Sequence, residues 1–333
     1  PTTKRVPSTL EDTLFRQSEA TQAGSLSCLQ AMHFGGSNMR VSTSTCIHER
    51  ALWSSELVYT CRDSIETCAN AGYRVLDMNF ASYSRGTLPM TQPNWEHWVN
   101  EIKEHAENLG VEWMQGHAHF YRWTKASPEE KVWHEELIRR SIIGAGILGV
   151  KWLVIHPGTV YDETWYSREK SLQANLEAYQ RYAELASRYG VGIAIENMFE
   201  GQGYRRFGVS ADDLLELYER LNDPKTFGIC WDTGHAHIQK INQYQALRKI
   251  GRRLTALHIA DNKGEKDDHV APYFGTIEWE PIMRALKEIE YQGDFTFEIH
   301  NFTAGLAPGL HEKVVRFSCE LGEFMLTLGD NGR

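Results

Sequence analysis

The sequence predicts an α/β protein whose main body is a (β/α)8 barrel, preceded by a short N-terminal extension. From Met39 onward, strand-like and helix-like segments alternate, giving eight βα units in about 290 residues, near the roughly 250 residues typical of such barrels. In four of these segments the apolar run stops at a Glu, Asp or His, namely at Glu196, Asp232, His258 and Glu298. The alternative is an open doubly wound sheet, but the chain has neither a G-x-G-x-x-G nor a Walker sequence for a phosphate turn. We therefore expect residues 1–38 to form the extension and residues 39–333 the barrel.

The predicted strands are apolar runs of strand length. In chain order they are Met39–Thr45, Tyr73–Phe80, Val111–His119, Val150–His156, Val191–Glu196, Phe227–Asp232, Leu254–Ile259 and Phe295–Ile299. Between them, apolar residues recur about every 3.6 residues, which predicts helices. These are Ser64–Ala71, Trp95–Leu109, Pro128–Leu148, Leu172–Tyr189, Ala211–Leu221, Gln243–Arg253, Glu280–Glu290 and His311–Leu326.

Several helix ends also have sequence signals. Ser127 and Pro128 predict a helix start, because serine caps helices and proline suits the first turn. Ser210 followed three residues later by Asp213 resembles a capping box. Helices are expected to end at or near three glycines, Gly110, Gly190 and Gly293.

Composition and charge limit the class of partner. The 333 residues include 35 Lys and Arg against 44 Asp and Glu, a net charge of −9. An acidic chain repels phosphate backbones unless basic residues are segregated, and the basic pairs here are scattered, so nucleic acid is not the expected partner. No apolar run reaches the roughly 20 residues of a membrane span, and the first 38 residues lack the apolar core of a signal peptide. Six cysteines without a C-x-x-C pair predict a reducing, cytoplasmic setting.

Four strand ends carry side chains that bind metal ions. Glu196, Asp232, His258 and Glu298 end the apolar runs of the fifth to eighth predicted strands. The active site of a parallel barrel lies at the C-terminal ends of its strands, so these side chains are expected to meet. Their mixed oxygen and nitrogen donors suit Mn²⁺, Mg²⁺, Co²⁺ or Zn²⁺ and argue against an iron–sulfur or thiolate zinc site. We predict that the four residues bind one divalent cation.

Further polar residues fall at the same level of the predicted barrel. As substrate-binding residues or additional metal ligands we consider His117, His156, His235, Asp267 and His269. For each histidine, the alternative is a hydrogen-bonded structural role. The tryptophans that could line a sugar pocket, with packing as the alternative, are Trp113, Trp123 and Trp279. The candidate phosphate contacts, with surface solvation as the favoured alternative, are Arg205, Arg206 and Lys263.

With these motifs the chain resembles the xylose isomerase-like TIM barrel superfamily, from about Met39 to Leu326. The most specific segments are Ile155-His-Pro-Gly158, Ile195-Glu-Asn197, Trp231-Asp-Thr-Gly-His235, Leu257-His-Ile-Ala-Asp-Asn262 and Phe297-Glu-Ile299. Asp268-His269, followed by Gly275-Thr-Ile-Glu-Trp279, is similar to the H-x-P-x-G-x-G-x-[IV]-[DN]-W segment of the sugar isomerase/epimerase branch. Where many members have a glycine-rich turn, this chain has Tyr273 and Phe274, which add bulk near the expected pocket mouth.

The resemblance implies a divalent-metal-dependent isomerase or epimerase acting on a sugar or a sugar derivative. In that branch one cation, with Mn²⁺ favoured here, is held by the residues matching Glu196, Asp232, His258 and Glu298. The two glutamates are the implied catalytic residues, which exchange a substrate proton through a metal-stabilised enediolate. The residue matching His235 binds substrate oxygens. A small carbohydrate is the implied partner, and a homo-oligomer is common among such enzymes.

Two other activities stay open at this point. The resembling endonuclease IV branch uses nine ligands for three metals, and all nine residue types are present here: His117, His156, Glu196, Asp232, His235, His258, Asp267, His269 and Glu298. That pattern implies phosphodiester cleavage at apurinic sites. An enolate that expels a β-substituent would instead make the protein a lyase or dehydratase acting on a keto-sugar or inosose.

Overall fold

Strands and helices alternate along the described part of the chain. A computed structural model describes residues 39–49, 59–163 and 165–328. Its strands are β1 (Val41–Ser44), β2 (Val75–Asn79), β3 (Glu112–His117), β4 (Trp152–Ile155), β5 (Tyr161–Asp162), β6 (Trp165–Tyr166), β7 (Gly192–Glu196), β8 (Phe227–Asp232), β9 (Leu254–His258) and β10 (Phe295–Phe297). Its α-helices are α1 (Cys61–Ala71), α2 (Trp95–Asn108), α3 (Pro128–Leu148), α4 (Arg168–Tyr189), α5 (Ala211–Leu221), α6 (Thr233–Ile238), α7 (Gln243–Ile250), α8 (Trp279–Glu288) and α9 (Pro308–Thr327).

Eight of the strands form one parallel sheet that closes on itself. The order is β10-β1-β2-β3-β4-β7-β8-β9, and all seven neighbouring pairs in this order are parallel. The ring closes between β9 and β10 through a parallel bridge joining Ile259 to Phe297. Two backbone hydrogen bonds make this seam: the Ile259 amide donates to Thr296 O at 2.8 Å, and the Glu298 amide donates to Ile259 O at 3.0 Å. The predicted (β/α)8 barrel is therefore confirmed.

Two separate apolar clusters lie on the two faces of the barrel wall. Val154, Ala194, Cys230 and Ala256 are fully buried and form their own cluster, one residue from each of β4, β7, β8 and β9. The larger apolar side chains belong to a second cluster that includes helix residues. Trp231 shows this alternation: it is fully buried, and its indole N–H donates to Gln243 Oε1 of α7 at 3.1 Å. Neighbouring Asp232 consequently points to the opposite face.

Some helices begin and end at the residues that the sequence predicts, and others do not. Ser127 caps α3 with a full capping box to Glu130, and Pro128 lies in its first turn. The Ser210 hydroxyl accepts from the Asp213 amide, but the Asp213 carboxylate pairs with Arg168. The expected glycine ends are found at Gly190, which caps α4, and at Gly110, which follows the cap residue of α2. Gly293 lies beyond the end of α8, where Ile289 is the cap residue.

Each predicted strand contains one observed barrel strand, whereas the short β5–β6 hairpin and helix α6 were not predicted.

The proposed extension over residues 1–38 lies outside the described residues, so the division into extension and barrel stays a prediction. In the described residues, no helix combines the length and apolar character required to span a bilayer.

Candidate metal centre

The four predicted ligands meet at the C-terminal end of the barrel. Glu196, Asp232 and His258 are the last residues of β7, β8 and β9, and Glu298 directly follows β10. All four residues are buried, and one ligand atom from each lies within 4.8 Å of the others. The strand order explains this proximity, because these four strands are consecutive around the ring.

The potential ligand atoms of the four residues face one another. Nδ1 of His258 lies 2.7 Å from Oε1 of Glu196 and 3.7 Å from Oε2 of Glu298. Asp232 Oδ1 accepts from the His235 amide at 2.7 Å, while its buried Oδ2 has no hydrogen-bond donor among the described residues. A buried carboxylate oxygen without a donor is costly unless a cation compensates it. Three carboxylates and one imidazole therefore fit a divalent cation of the Mn²⁺, Mg²⁺, Co²⁺ or Zn²⁺ group.

The pKa shifts of Asp232 and Glu196 show the effect of placing several carboxylates in one buried cluster. Burial raises the pKa of Asp232 to about 6, opposed by the charge of His235 and reinforced by that of Glu196. Burial acts in the same direction on Glu196, but the positive charge of His258 and hydrogen bonds from His117 and His156 outweigh it and hold the pKa of Glu196 well below its usual range. The carboxylates thus depend on nearby positive charge, which a divalent cation would supply.

A second group adjoins the first through Glu196. Nε2 of His156 lies 2.8 Å from Oε2 of Glu196, and Nε2 of His117 lies 3.5 Å from the same oxygen. The His117 Nδ1–H donates to the Ala118 carbonyl at 2.8 Å, which leaves Nε2 to face the cluster. Glu196 therefore has one oxygen toward His258 and the other toward the two histidines.

The remaining candidates lie on the other side of the centre. Asp267 Oδ2 lies between Nε2 of His269, at 2.9 Å, and Nε2 of His235, at 3.4 Å. Both imidazoles are held by backbone carbonyls, because the His235 Nδ1–H donates to Asn197 O and the His269 Nδ1–H donates to Glu298 O. All nine side chains considered from the sequence thus lie at this end of the barrel. Their roles as ligands or catalysts stay predictions.

Asp77 is a residue of this centre that sequence reasoning missed. It is fully buried in the middle of β2, and its Oδ2 lies 3.9 Å from Nε2 of His258. The Ser44 hydroxyl donates to its Oδ1 at 2.8 Å. Asp77 faces the ring nitrogen opposite Nδ1 at a distance too long for a hydrogen bond, so its carboxylate acts on the imidazole through its charge. An aspartate inside the apolar run Val75-Leu-Asp-Met78 was the signal that could have revealed it.

The loop after β9 is organised by a second buried aspartate. The carboxylate of Asp261 accepts from the backbone amides of Asn262, Tyr273 and Ile277 and from the indole N–H of Trp279. Trp279 is thereby part of the packing of this loop. Tyr273 and Phe274, expected to add bulk near the mouth, are both about half exposed, at 53%.

Fold and side-chain cluster together define a parallel barrel with a carboxylate–histidine centre at its C-terminal rim. The chain belongs to the xylose isomerase-like TIM barrel family, whose model matches residues 65–320. It is 33% identical over 244 residues to an uncharacterized protein, MJ1311, of Methanocaldococcus jannaschii, covering 71% of this chain and 80% of that protein.

Two further similarities point to different activities within the family. A solved structure of a D-tagatose 3-epimerase-like protein is 26% identical, with a TM-score of 0.66, over 86% of this chain and 97% of that one. A probable endonuclease 4 of Acholeplasma laidlawii is 24% identical over 172 residues, which cover 48% of this chain and 57% of that protein.

Proposed function

We propose that the protein is a divalent-metal-dependent isomerase or epimerase of a sugar or sugar derivative. The observation that carries this proposal is the four-residue centre, in which two buried glutamates are the outer members of four consecutive strand ends. A substrate carbon placed over the centre would have Glu196 on one side and Glu298 on the other. The similarity to the D-tagatose 3-epimerase-like structure supports the same assignment.

The chemistry is proton transfer at a carbon beside a carbonyl. When bound, a divalent cation would supply Lewis-acid stabilisation of the negative charge that develops on the substrate oxygens. One glutamate removes the proton from one face, and the other returns a proton to the opposite face, which inverts the carbon. Return of the proton to the neighbouring carbon would give an isomerase. Buried His235 is held by Asn197 and can orient a substrate hydroxyl.

The test is exchange of substrate C–H hydrogens with D₂O, followed by NMR over a panel of ketoses, inososes and keto-glycosides with added Mn²⁺, Co²⁺ or Mg²⁺. Glu196→Gln and Glu298→Gln should each lower exchange by about 10³-fold, since each removes a proton carrier without changing side-chain size. Glu112→Gln is the matched control, because Glu112 lies at the start of β3, at the opposite end of the barrel. Wild-type exchange in both test variants would defeat the proposal.

A second candidate function rests on the outer histidines. The group of His117, His156 and Glu196, together with Asp267 between His235 and His269, provides ligands for further cations. The similarity to the probable endonuclease 4 favours a phosphodiesterase acting at abasic sites. Cleavage of an abasic-site duplex by the Zn²⁺-supplemented protein, lost in His156→Asn, would support this candidate over the sugar enzyme.

A further inference from the structure

A cationic cavity opens beside the candidate metal centre. Its volume is about 260 Å³, and its wall includes Arg122, Lys125, Arg205 and Arg206. No aspartate or glutamate is among its described lining residues. The chain as a whole has a net charge of −9, whereas the cavity wall has four cationic side chains and no carboxylate. The charge of the wall is therefore opposite in sign to that of the whole chain.

Of the two adjacent arginines in the wall, Arg205 is paired with a carboxylate and Arg206 is not. Arg205 is exposed, and its Nε donates to Oε1 of Glu200 at 2.6 Å. Arg206 is partly buried, and within the described ranges its guanidinium makes no ion pair with any carboxylate. Burial lowers the pKa of Arg206, and the charge of Arg122 lowers it further, although an arginine stays charged at neutral pH. A guanidinium that is partly removed from water and has no paired carboxylate favours a bound anion, which would compensate its desolvation.

Aromatic rings give the cavity a fixed shape. The indole of Trp123 packs directly on Gly158, where a Cβ atom would lie only 2.0 Å from the ring. Arg122 lies over the ring of Tyr204, with its Cζ 5.7 Å from the centroid. Glu200 Oε1 also accepts from the Arg206 backbone amide at 3.0 Å, which fixes the turn that carries both arginines. Packing and hydrogen bonds therefore hold the arginine-bearing wall of the cavity in one conformation.

The cavity adjoins the candidate centre in sequence. Pro157 and Gly158 line it, and they immediately follow His156, whose Nε2 lies 2.8 Å from Glu196. The charges of Glu196 and Asp267 act on Arg206 through space. A ligand with its reacting carbon at the centre could therefore place an anionic end in the cavity.

We infer that this cavity binds the phosphate group of a phosphorylated sugar substrate, with Arg206 as its main ligand. Planar guanidinium groups bind phosphate oxygens in a bidentate manner, and several donors suit a dianionic phosphomonoester better than a single carboxylate. This inference rests on the proposed function and specifies its substrate class. It also revises the sequence expectation for Arg206, which favoured surface solvation.

Binding of inorganic phosphate to the full chain, measured by isothermal titration calorimetry in the presence of a chelator, tests the subsite apart from any metal and from turnover. Arg206→Met should weaken phosphate binding by about tenfold or more, as loss of a buried charge-assisted contact does. Arg188→Met is the matched control: it removes the same charge from an exposed site in the last turn of α4 and should leave affinity unchanged. Equal affinity of wild type and Arg206→Met, or no measurable binding, would overturn the inference.

Competition then identifies the source of the phosphate. A hexose phosphate should displace inorganic phosphate at lower concentration than the free hexose, and this advantage should vanish in Arg206→Met. Tighter, Arg206-dependent displacement by an abasic-site oligonucleotide would overturn the sugar phosphate assignment in favour of a phosphodiester. Arg206-dependent binding of sugar phosphate without any D₂O exchange would defeat the proposed function while the subsite stands.

Discussion

Asp77 is the residue through which the barrel wall can tune the candidate metal centre. It supplies no ligand atom to the four-residue group, yet its carboxylate faces the far nitrogen of the His258 ring across 3.9 Å. A negative charge this close to a ligating imidazole raises its basicity. Nδ1, which lies 2.7 Å from Glu196 Oε1, is the ring nitrogen that would bind a cation.

We expect Asp77→Asn to weaken Mn²⁺ binding by about 10- to 100-fold, as loss of a supporting carboxylate typically does. The dissociation constant is measured by titrating Mn²⁺ into protein from which metal has been removed with a chelator. Asp294→Asn is the control, since Asp294 is also buried but pairs with Arg40 at the opposite end of the barrel. Unchanged affinity in Asp77→Asn would show that His258 needs no such support.

Among the connecting elements, the loop after β9 depends on one glycine. A Cβ atom at Gly275 would lie 2.1 Å from Asp261 Oδ1 and 2.3 Å from the Asn262 carbonyl. Gly275→Ala should therefore destabilise the fold by about 1–3 kcal/mol, because backbone atoms cannot give way as a flexible side chain can. The free energy of unfolding from urea titration checks this.

Gly309, in the first turn of α9, provides the matched comparison. A Cβ atom there meets nothing within 4 Å, so Gly309→Ala should be neutral or slightly stabilising. Similar losses in both variants would contradict the steric explanation for Gly275.

The corner between β1 and α9 holds a histidine that folds in the neutral state. His48 is buried, stacked on Tyr59 with ring centroids 4.3 Å apart and on His311 at 5.3 Å. Neither ring nitrogen of His48 has a hydrogen-bond partner among the described residues. Burial lowers the pKa of His48 to about 4, with His311 contributing and Asp63 opposing. In the unfolded chain the imidazole would titrate near 6.5.

Because the folded pKa is depressed, His48 contributes stability above pH 6.5 that is lost as the pH falls toward about 4. At pH 5 the loss should be about 2 kcal/mol. His48→Phe keeps the stacking but cannot titrate, so its unfolding free energy should fall less between pH 7.5 and pH 5. His97→Phe, at an exposed site on α2, should follow the wild type. A His48→Phe variant with the full wild-type pH dependence would contradict the assignment.

At the scale of the whole molecule, the fold and the principal cluster were predictable because one rule of parallel barrels links them. Side chains at the C-terminal ends of strands converge, so Glu196, Asp232 and His258 could be placed together from their positions at the ends of apolar runs. Asp77 could not be placed, because it comes from the middle of a strand and its contact depends on strand register. Arg205 and Arg206 are adjacent and chemically identical, and only the folded turn directs one to Glu200 and the other inward.

The seam between β9 and β10 closes the barrel directly beside two of the four candidate ligands. Two backbone hydrogen bonds hold it in the described structure, and His258 and Glu298 lie on its two edges. A cation bound to both would link the two edges of the seam and would couple metal binding to local opening there. Hydrogen–deuterium exchange at the Ile259 and Glu298 amides should slow by about tenfold or more when Mn²⁺ replaces chelator. Amides between β1 and β2 should change little, and uniform slowing of the whole barrel would show that the ring opens only as a unit.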